Sequence, residues 1–398
     1  MEIALVPLFA AIAYFGILIP GLSLAVTLFA AYSHISIFIG PVFLPLVAIT
    51  LASFILYKLF KRDLTIAYLP INKFVFLFIA TIFFSLFFTQ DWERATYDLF
   101  IFLKSLVLFF LIVNIAKDEN TIIHLIETVV VAVLCGSIIA LSEYHTTMHV
   151  FLFSGRTGSV LEDPNFFASM LVSVLPFSIF LFKRERNLYL KSFWGVCSVF
   201  QLFSIVPTFS RGGIIGLVVI LFLVVLHERK NKWTWIVLPL VILIFAIVVP
   251  FDFWIRIMTL INTQYDRAIG HRLLLMKSGI KVFSQYPIIG VGTGDFINAI
   301  SRYMNHPMVA HNMYLHVFVE TGIIGGTFFL CILGNVLWSL HRAKQISDLA
   351  AYMEISLIGL FVTAFFLSIH FHFWVWALLG IVSAFLRIKL WRRPYWLY

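Results

Sequence analysis

The stretch AHNMYLHVFVETGIIGG, Ala310–Gly326, opens a long apolar segment, yet it carries His311, Asn312, His316 and Glu320. At the edge of a bilayer such groups require a partner or a chemical role. If the segment is helical, Asn312, His316 and Glu320 recur every fourth residue and share one face. His311 and Asn312 are then expected in the first turn, where unpaired backbone N–H groups and the helix dipole favour anions. Gly322, Gly325 and Gly326 are small enough to let another helix pack closely.

The composition around this stretch sets its surroundings. Of 398 residues, 62% are hydrophobic and 12% charged, with a mean hydropathy of +1.01. Soluble domains carry about 25% charge, so the chain is expected to be an all-α polytopic membrane protein. The first residues, MEIALVPLFA, lack a basic leader region and a small-residue cleavage site, so no removable signal is expected. No internal repeat or Ser- or Gly-rich linker divides the chain, and residues 1–398 are read as one integral membrane domain.

About 20 apolar residues span a bilayer. Twelve segments fit: 4–31, interrupted at Pro20-Gly21, then 38–59, 72–89, 97–116, 121–142, 164–183, 192–208, 211–227, 233–250, 310–340, 352–369 and 372–390. Basic clusters follow the second, sixth, eighth, tenth and twelfth of these, at Lys58 to Arg62, Lys183 to Lys191, Arg229 to Lys232, Arg342 and Lys344, and Arg387 to Arg393. All come after even-numbered spans. The positive-inside rule then puts those loops and both termini in the cytoplasm. It also accounts for the net charge of +9 without nucleic acid.

The opposite, outer face holds 143–163, the turn near 207–212, and the longest loop, 251–309. Within that loop RLLLMKSGIKVFSQY, Arg272–Tyr286, reads as an amphipathic helix, either lying on the outer membrane surface or an ordinary loop helix. Cys135, Cys197 and Cys331 lie in apolar runs without metal-ligand spacing, so packing is their expected role, with no disulfide. Lys104 and Asp98, in the outer half of the fourth span, are expected to pair or snorkel.

Arginines on the outer face run against the topology rule. Arg156 lies in SGRTGSVLEDPN, Arg211 in TFSRGG, and Arg267 and Arg272 in YDRAIGHRLLL. Guanidinium is a fixed fork that matches phosphate oxygens. The plain alternative is a solvated loop charge or a headgroup contact. Gly212 and Gly213 are expected to leave the backbone beside Arg211 open to a bulky anion. Asp163 reads as a helix cap with Pro164 at the first helical position, beside Asn165. PIIGVGTGD, Pro287–Asp295, does not match a nucleotide loop and reads as a turn. His311 is the candidate general base, held neutral by neighbouring arginines. Glu320 is expected to bond His316 or a neighbouring helix.

His311-Asn312, nine residues, Gly322, two residues and Gly325 resemble a motif of bacterial O-antigen ligases. Ser210-Arg211-Gly212-Gly213, Asp163-Pro164-Asn165, and Arg272 followed by PIIGVGTGDF are similar to that superfamily and come in its order. It also includes O-antigen polymerases and protein O-oligosaccharyltransferases. The resemblance implies a GT-C-type membrane glycosyltransferase with a large periplasmic loop of helices. Its donor would be a glycan on undecaprenyl diphosphate and its acceptor a sugar hydroxyl of the lipid A–core oligosaccharide. Arg211 and Arg272 would hold the diphosphate and His311 would ready the acceptor. Arg156 and Arg267 are further candidates to bind the diphosphate, matched less closely to family positions, and Asn312, Glu320 and Asn165 would support the site. The enzyme would sit in the bacterial inner membrane, with its site periplasmic. Arginines and helix N-termini can stabilise a diphosphate leaving group unaided, and no Mg²⁺-like acidic cluster is evident, so neither metal nor cofactor is expected. A single displacement would invert the anomeric centre. An anionic-lipid transporter is the reading from another class, although transporters place their polar groups at mid-membrane.

Overall fold

The computed structural model describes residues 2–35, 42–147, 163–232, 234–249, 251, 254 and 267–390. These residues are α-helical, with three short 3₁₀ turns and no strand among them. The helices run α1 (Glu2–Leu18), α2 (Pro20–Tyr32), α3 (Phe43–Phe60), α4 (Asn72–Ser85), α5 (Trp92–Ile115), α6 (Glu119–Thr147), α7 (Pro164–Arg184) and α8 (Leu188–Ser204). They continue as α9 (Arg211–Glu228), α10 (Thr234–Val248), α11 (Arg267–Gln285), α12 (Phe296–Ser301), α13 (Met313–Ala343), α14 (Asp348–Thr363) and α15 (Phe373–Lys389). Each of the twelve expected segments contains helix. The first contains two, because Pro20 cannot continue α1 and instead starts α2. Eight described helices are long and apolar enough to cross a membrane. The protein is an all-α polytopic membrane protein.

Close pairs knit the bundle. α15 lies along α5, where Gly380 approaches Ile112 and Ser105 Oγ donates to the Phe371 carbonyl at 2.8 Å. α7 packs on α8, α9 and α14. The core between them is unusually aromatic: Phe78 meets Phe102 and Phe329, and Phe102 meets Trp376. The three cysteines are free, as expected. Ionic contacts gather where the basic clusters sit. Lys183 binds Glu228 and lies 3.6 Å from Asp348, Lys344 binds Glu354 at 2.7 Å, and Lys389 binds Glu119 at 2.7 Å. In the fourth segment Asp98 lies 3.9 Å from Arg94, while Lys104 lies over the Phe100 ring. The pairing of Lys104 with Asp98 is therefore corrected.

The tenth segment differs most from expectation. α13 has 31 residues but breaks at Gly322, whose φ of 65° and ψ of −169° are non-helical. An unbroken helix would bond Ile323 N–H to Val319 and Ile324 N–H to Glu320. The turn Pro287–Asp295 supplies both sides of the missing pairs. Val291 and Gly292 N–H groups donate to the Val319 and Glu320 carbonyls at 3.0 Å each. Ile323 and Ile324 N–H groups donate to the Pro287 and Ile288 carbonyls at 2.8 and 3.4 Å. Two helical bonds are replaced by four, so the break leaves these backbone groups satisfied.

Such pairing needs main chains in contact. A Cβ on Gly322 would lie 2.2 Å from the Ile288 oxygen, and one on Gly290 would lie 2.4 Å from the Glu320 carbonyl. Gly322 therefore admits the loop backbone, not another helix. Gly325 and Gly326 face the side chains of Thr321 and Phe318 in their own helix.

The break also resets the span. Residues 323–343 measure about 31 Å at 1.5 Å per residue, enough alone for a hydrocarbon core of about 30 Å. The part of α13 before Gly322 belongs to an outer layer with α11 and α12. That layer has its own apolar core of Leu275, Val282, Phe296, Ile300 and Val319. The amphipathic stretch is indeed helical, as α11. It packs against α13, with Gly279 close to Leu315 and Phe283 edge-on to Phe318.

A Gly322→Ala variant should lose at least about 1–3 kcal/mol, the range for a backbone region open only to glycine, with the clash added. A Cβ on Gly334, by contrast, would meet nothing within 4 Å. Gly334→Ala should instead gain about 0.5–1 kcal/mol by helix propensity. Thermal unfolding of both variants in one detergent checks the contrast.

Candidate active site

Four helix N-termini meet at the end of the bundle opposite the basic clusters. Asp163 caps α7 by accepting from Asn165 N–H at 2.7 Å, as its sequence position predicts. Its Oδ1 also accepts from the Asn165 side chain at 2.9 Å. Ser210 caps α9 by accepting from Gly213 N–H at 3.2 Å. Asn312 caps α13 by accepting from Leu315 N–H at 2.9 Å. His372 precedes α15 and packs against Phe166 of α7 at 4.6 Å. Each N-terminus carries a partial positive charge.

The junction preceding α13 holds the candidate base. His311 is not in the first turn. Asn312 takes the cap position, and His311 stands before it with φ of 46°. This left-handed backbone is uncommon for a non-glycine residue, and it aims the ring differently from a helical residue. His311 is half-buried, within electrostatic reach of Arg272, His271 and Asp163. Burial, and then the Arg272 cation, lower its pKa from 6.5 to about 4, while Asp163 opposes the shift. The expected neutral ring is thus obtained, with burial ahead of arginine as its cause.

Arg272 lies in the second turn of α11, half-buried. Arg211 is the first residue of α9. Gly212 meets the Phe366 ring, and the adjacent Phe365 stacks on Tyr314 at 4.5 Å, three residues beyond His311. The two glycines do not leave open backbone for an anion. A Cβ on Gly212 would stand 3.0 Å from Phe366, and one on Gly213 would stand 2.7 Å from Ala168. They seat α9 tightly and so fix where Arg211 begins. Arg267 is the first residue of α11, with its side chain outside the described residues, and Arg156 lies outside them altogether.

Behind His311, His316 Nε2 and Glu320 Oε1 are 3.0 Å apart, the expected partnership on one helical face. Glu320 also accepts from Phe296 N–H at 3.4 Å. Reasoning from sequence misses His271, His370 and His372, and gives Asp163 only a capping role. His271 is adjacent to Arg272 and its Nε2 is buried without a hydrogen-bond partner. The run Gly270-His271-Arg272 is legible as two donors on one turn. His370 sits in a connector between helices, so no periodicity marks it.

Comparison with known proteins reaches the same region. The O-antigen ligase family model matches residues 196–330, a stretch that contains Arg211, Arg272 and His311. Residues 196–330 are thus similar to the O-antigen ligase family. The chain is also 25% identical over 203 residues to the teichuronic acid biosynthesis protein TuaE of Bacillus subtilis (strain 168). That match covers 46% of this chain and 41% of the relative, so the chain spans less than half of the relative's length. Both findings support the O-antigen ligase/polymerase superfamily.

The shifted imidazole has a pH consequence. In the unfolded chain the ring should titrate near 6.5, above its folded value of about 4. The unfolded state therefore takes up a proton first as pH falls. Stability from this group is intact above about 6.5 and declines as pH drops towards 4. Comparing the acid limb of thermal stability in the wild type and in His311→Asn checks this. The variant should show a shallower decline.

Proposed function

We propose that the chain is an O-antigen ligase. It transfers a glycan from undecaprenyl diphosphate to a sugar hydroxyl of the lipid A–core oligosaccharide. The single observation that carries this reading is a neutral, half-buried imidazole beside Arg272 at the meeting point of capped helix N-termini. A diphosphate donor is an anion that such a place attracts. Arg211 and Arg272 hold its oxygens, with Arg156 and Arg267 as further diphosphate-binding cations. Asn165, Asn312 and Glu320 keep the surrounding backbone and rings in position.

The reaction exchanges one bond for another at the anomeric carbon. The acceptor hydroxyl forms the new C–O bond as its proton passes to His311. The old C–O bond to phosphate breaks, and its electron pair leaves with the diphosphate. The arginines and helix N-termini stabilise that developing charge without a metal. One displacement inverts the anomeric centre. Donor binding also primes the base. An anion on Arg272 offsets the smaller, arginine part of the shift and so moves the His311 pKa upward, while burial still holds it down.

The basic helix ends face the cytoplasm with both termini, by the positive-inside rule. The site then faces the periplasm of the inner membrane, where a lipid-linked donor replaces a nucleotide sugar. A second reading, polymerisation of repeat units, is favoured by the relative named for teichuronic acid biosynthesis. It uses the same chemistry with a growing glycan as acceptor. Transfer to protein and transport of an anionic lipid are the remaining alternatives.

The deciding assay mixes purified protein with a lipid-diphosphate glycan and either lipid A–core or a second lipid-linked glycan. Ligation gives product only on the core, and polymerisation only on the lipid carrier. Labelled lipid that crosses liposomes with no glycosidic bond made would establish the transporter instead. Arg211→Ala and Arg272→Ala should abolish transfer while leaving membrane insertion intact. His311→Ala should lose about 10²–10⁴-fold in rate, with donor affinity little changed. Turnover equal to wild type would remove the base assignment. NMR of the product linkage reports inversion or retention.

The orientation has a separate check. In a cysteine-free background, Lys277→Cys should react with a membrane-impermeant maleimide added outside spheroplasts. Lys230→Cys should react only after lysis.

A further inference from the structure

Beneath the proposed active site lies a second cluster, of which the transfer reading uses only Glu320, and only as a support. His316, Glu320 and His370 come from two separate chain segments, and one ligand atom of each lies within 4.8 Å of the others. The three residues are 5%, 1% and 5% exposed, so this is an interior site. The two imidazole rings are 4.6 Å apart. Nδ1 of His316 and Nδ1 of His370 are both buried without hydrogen-bond partners. A buried polar nitrogen left unpaired is costly, and here two occur side by side next to a carboxylate.

The local charge runs the same way. Asp98 and Asp295 are both within electrostatic reach of Glu320. Arg94 is the cation described near Asp98, at 3.9 Å. Several buried carboxylates in one place repel one another unless protons or a cation offset them. His316 Nε2 already engages Glu320 Oε1 at 3.0 Å, so the nitrogens left for an ion are the two Nδ1 atoms.

We propose that His316, Glu320 and His370 bind one divalent transition-metal ion of the zinc class. Two imidazoles and one carboxylate are a nitrogen-rich set that suits Zn²⁺, Co²⁺ or Ni²⁺ and does not suit Mg²⁺ or Ca²⁺, which take oxygen. Water completes the coordination. The ion joins α13, just before its break at Gly322, to the connector leading into α15. It is a clamp beneath His311 and takes no part in holding the diphosphate. A second trio, His227, Glu228 and Asp348, also falls within ligand distance. It lies at the basic end, where Lys183 and Tyr352 already engage its carboxylates, so it serves as the control.

The test uses the full chain in nanodiscs, stripped by chelator dialysis and titrated with Co²⁺ alone. The expected result is one Co²⁺ per chain, with visible absorption bands of four- or five-coordinate cobalt. His370→Ala and Glu320→Gln should weaken that binding by about 100-fold or more, since even losing an outer-shell partner costs 10–100-fold. His227→Ala should leave it unchanged. Wild-type protein that binds no stoichiometric Co²⁺, or variants that bind it as tightly as wild type, would overturn the site. Should the variants fail to fold, X-ray absorption fine structure of the Zn²⁺-loaded wild type decides. Two imidazoles with oxygen ligands support the site, whereas an oxygen-only or sulfur shell refutes it.

Discussion

The outer part of this protein depends on a swap of backbone hydrogen bonds at Gly322. A helix in or near lipid cannot leave its amides unpaired. Here α13 is interrupted, and Pro287–Asp295 provides two donors and two acceptors at the interruption. The exchange joins the loop to α13 through main chain, while Thr293 and Asp295 bond Ser85 and the Asp91 amide beside it. It also frees the preceding nine residues, Met313–Thr321, from running straight through the bilayer. Those residues and their cap present Asn312, His316 and Glu320 to the outer layer, and they place His311 at its edge.

Around that anchor the electrostatics follow from topology. Helices that start at the same end of a bundle bring their N-termini to one surface. α7, α9, α13 and α15 do so here, and each start is fixed by a local device: Asp163, Ser210, Asn312 and the packing of His372 on Phe166. Arg211 and Arg272 then add whole charges to a place already favourable for anions. Burial, and then the Arg272 cation, lower the His311 pKa. In the proposed reaction, anion binding and proton acceptance would share one set of causes.

Much of this is legible in residue order. Long apolar runs mark the helices, Asp163-Pro164 marks a capped start, and four-residue spacing marks the His316–Glu320 contact. These are local signals, set by neighbours within one or two turns. The break at Gly322 is not legible, because its cause is a loop some thirty residues earlier that meets it through backbone. For the same reason Gly212 and Gly213 look like open space in the sequence when they are contacts to Phe366 and Ala168. A glycine in a sequence announces a close approach but not what approaches. His370 is hidden differently, since a single imidazole in a connector has no period and acquires meaning only beside His316.

A join made of amides and carbonyls is indifferent to side-chain identity. At Ile288, Ile289 and Val291 the chain can exchange one apolar residue for another while the four bonds persist, provided Gly290 and Gly322 keep the main chains in touch. The surface built on that join is thus free to be re-tailored for a different ligand without disturbing the scaffold beneath it.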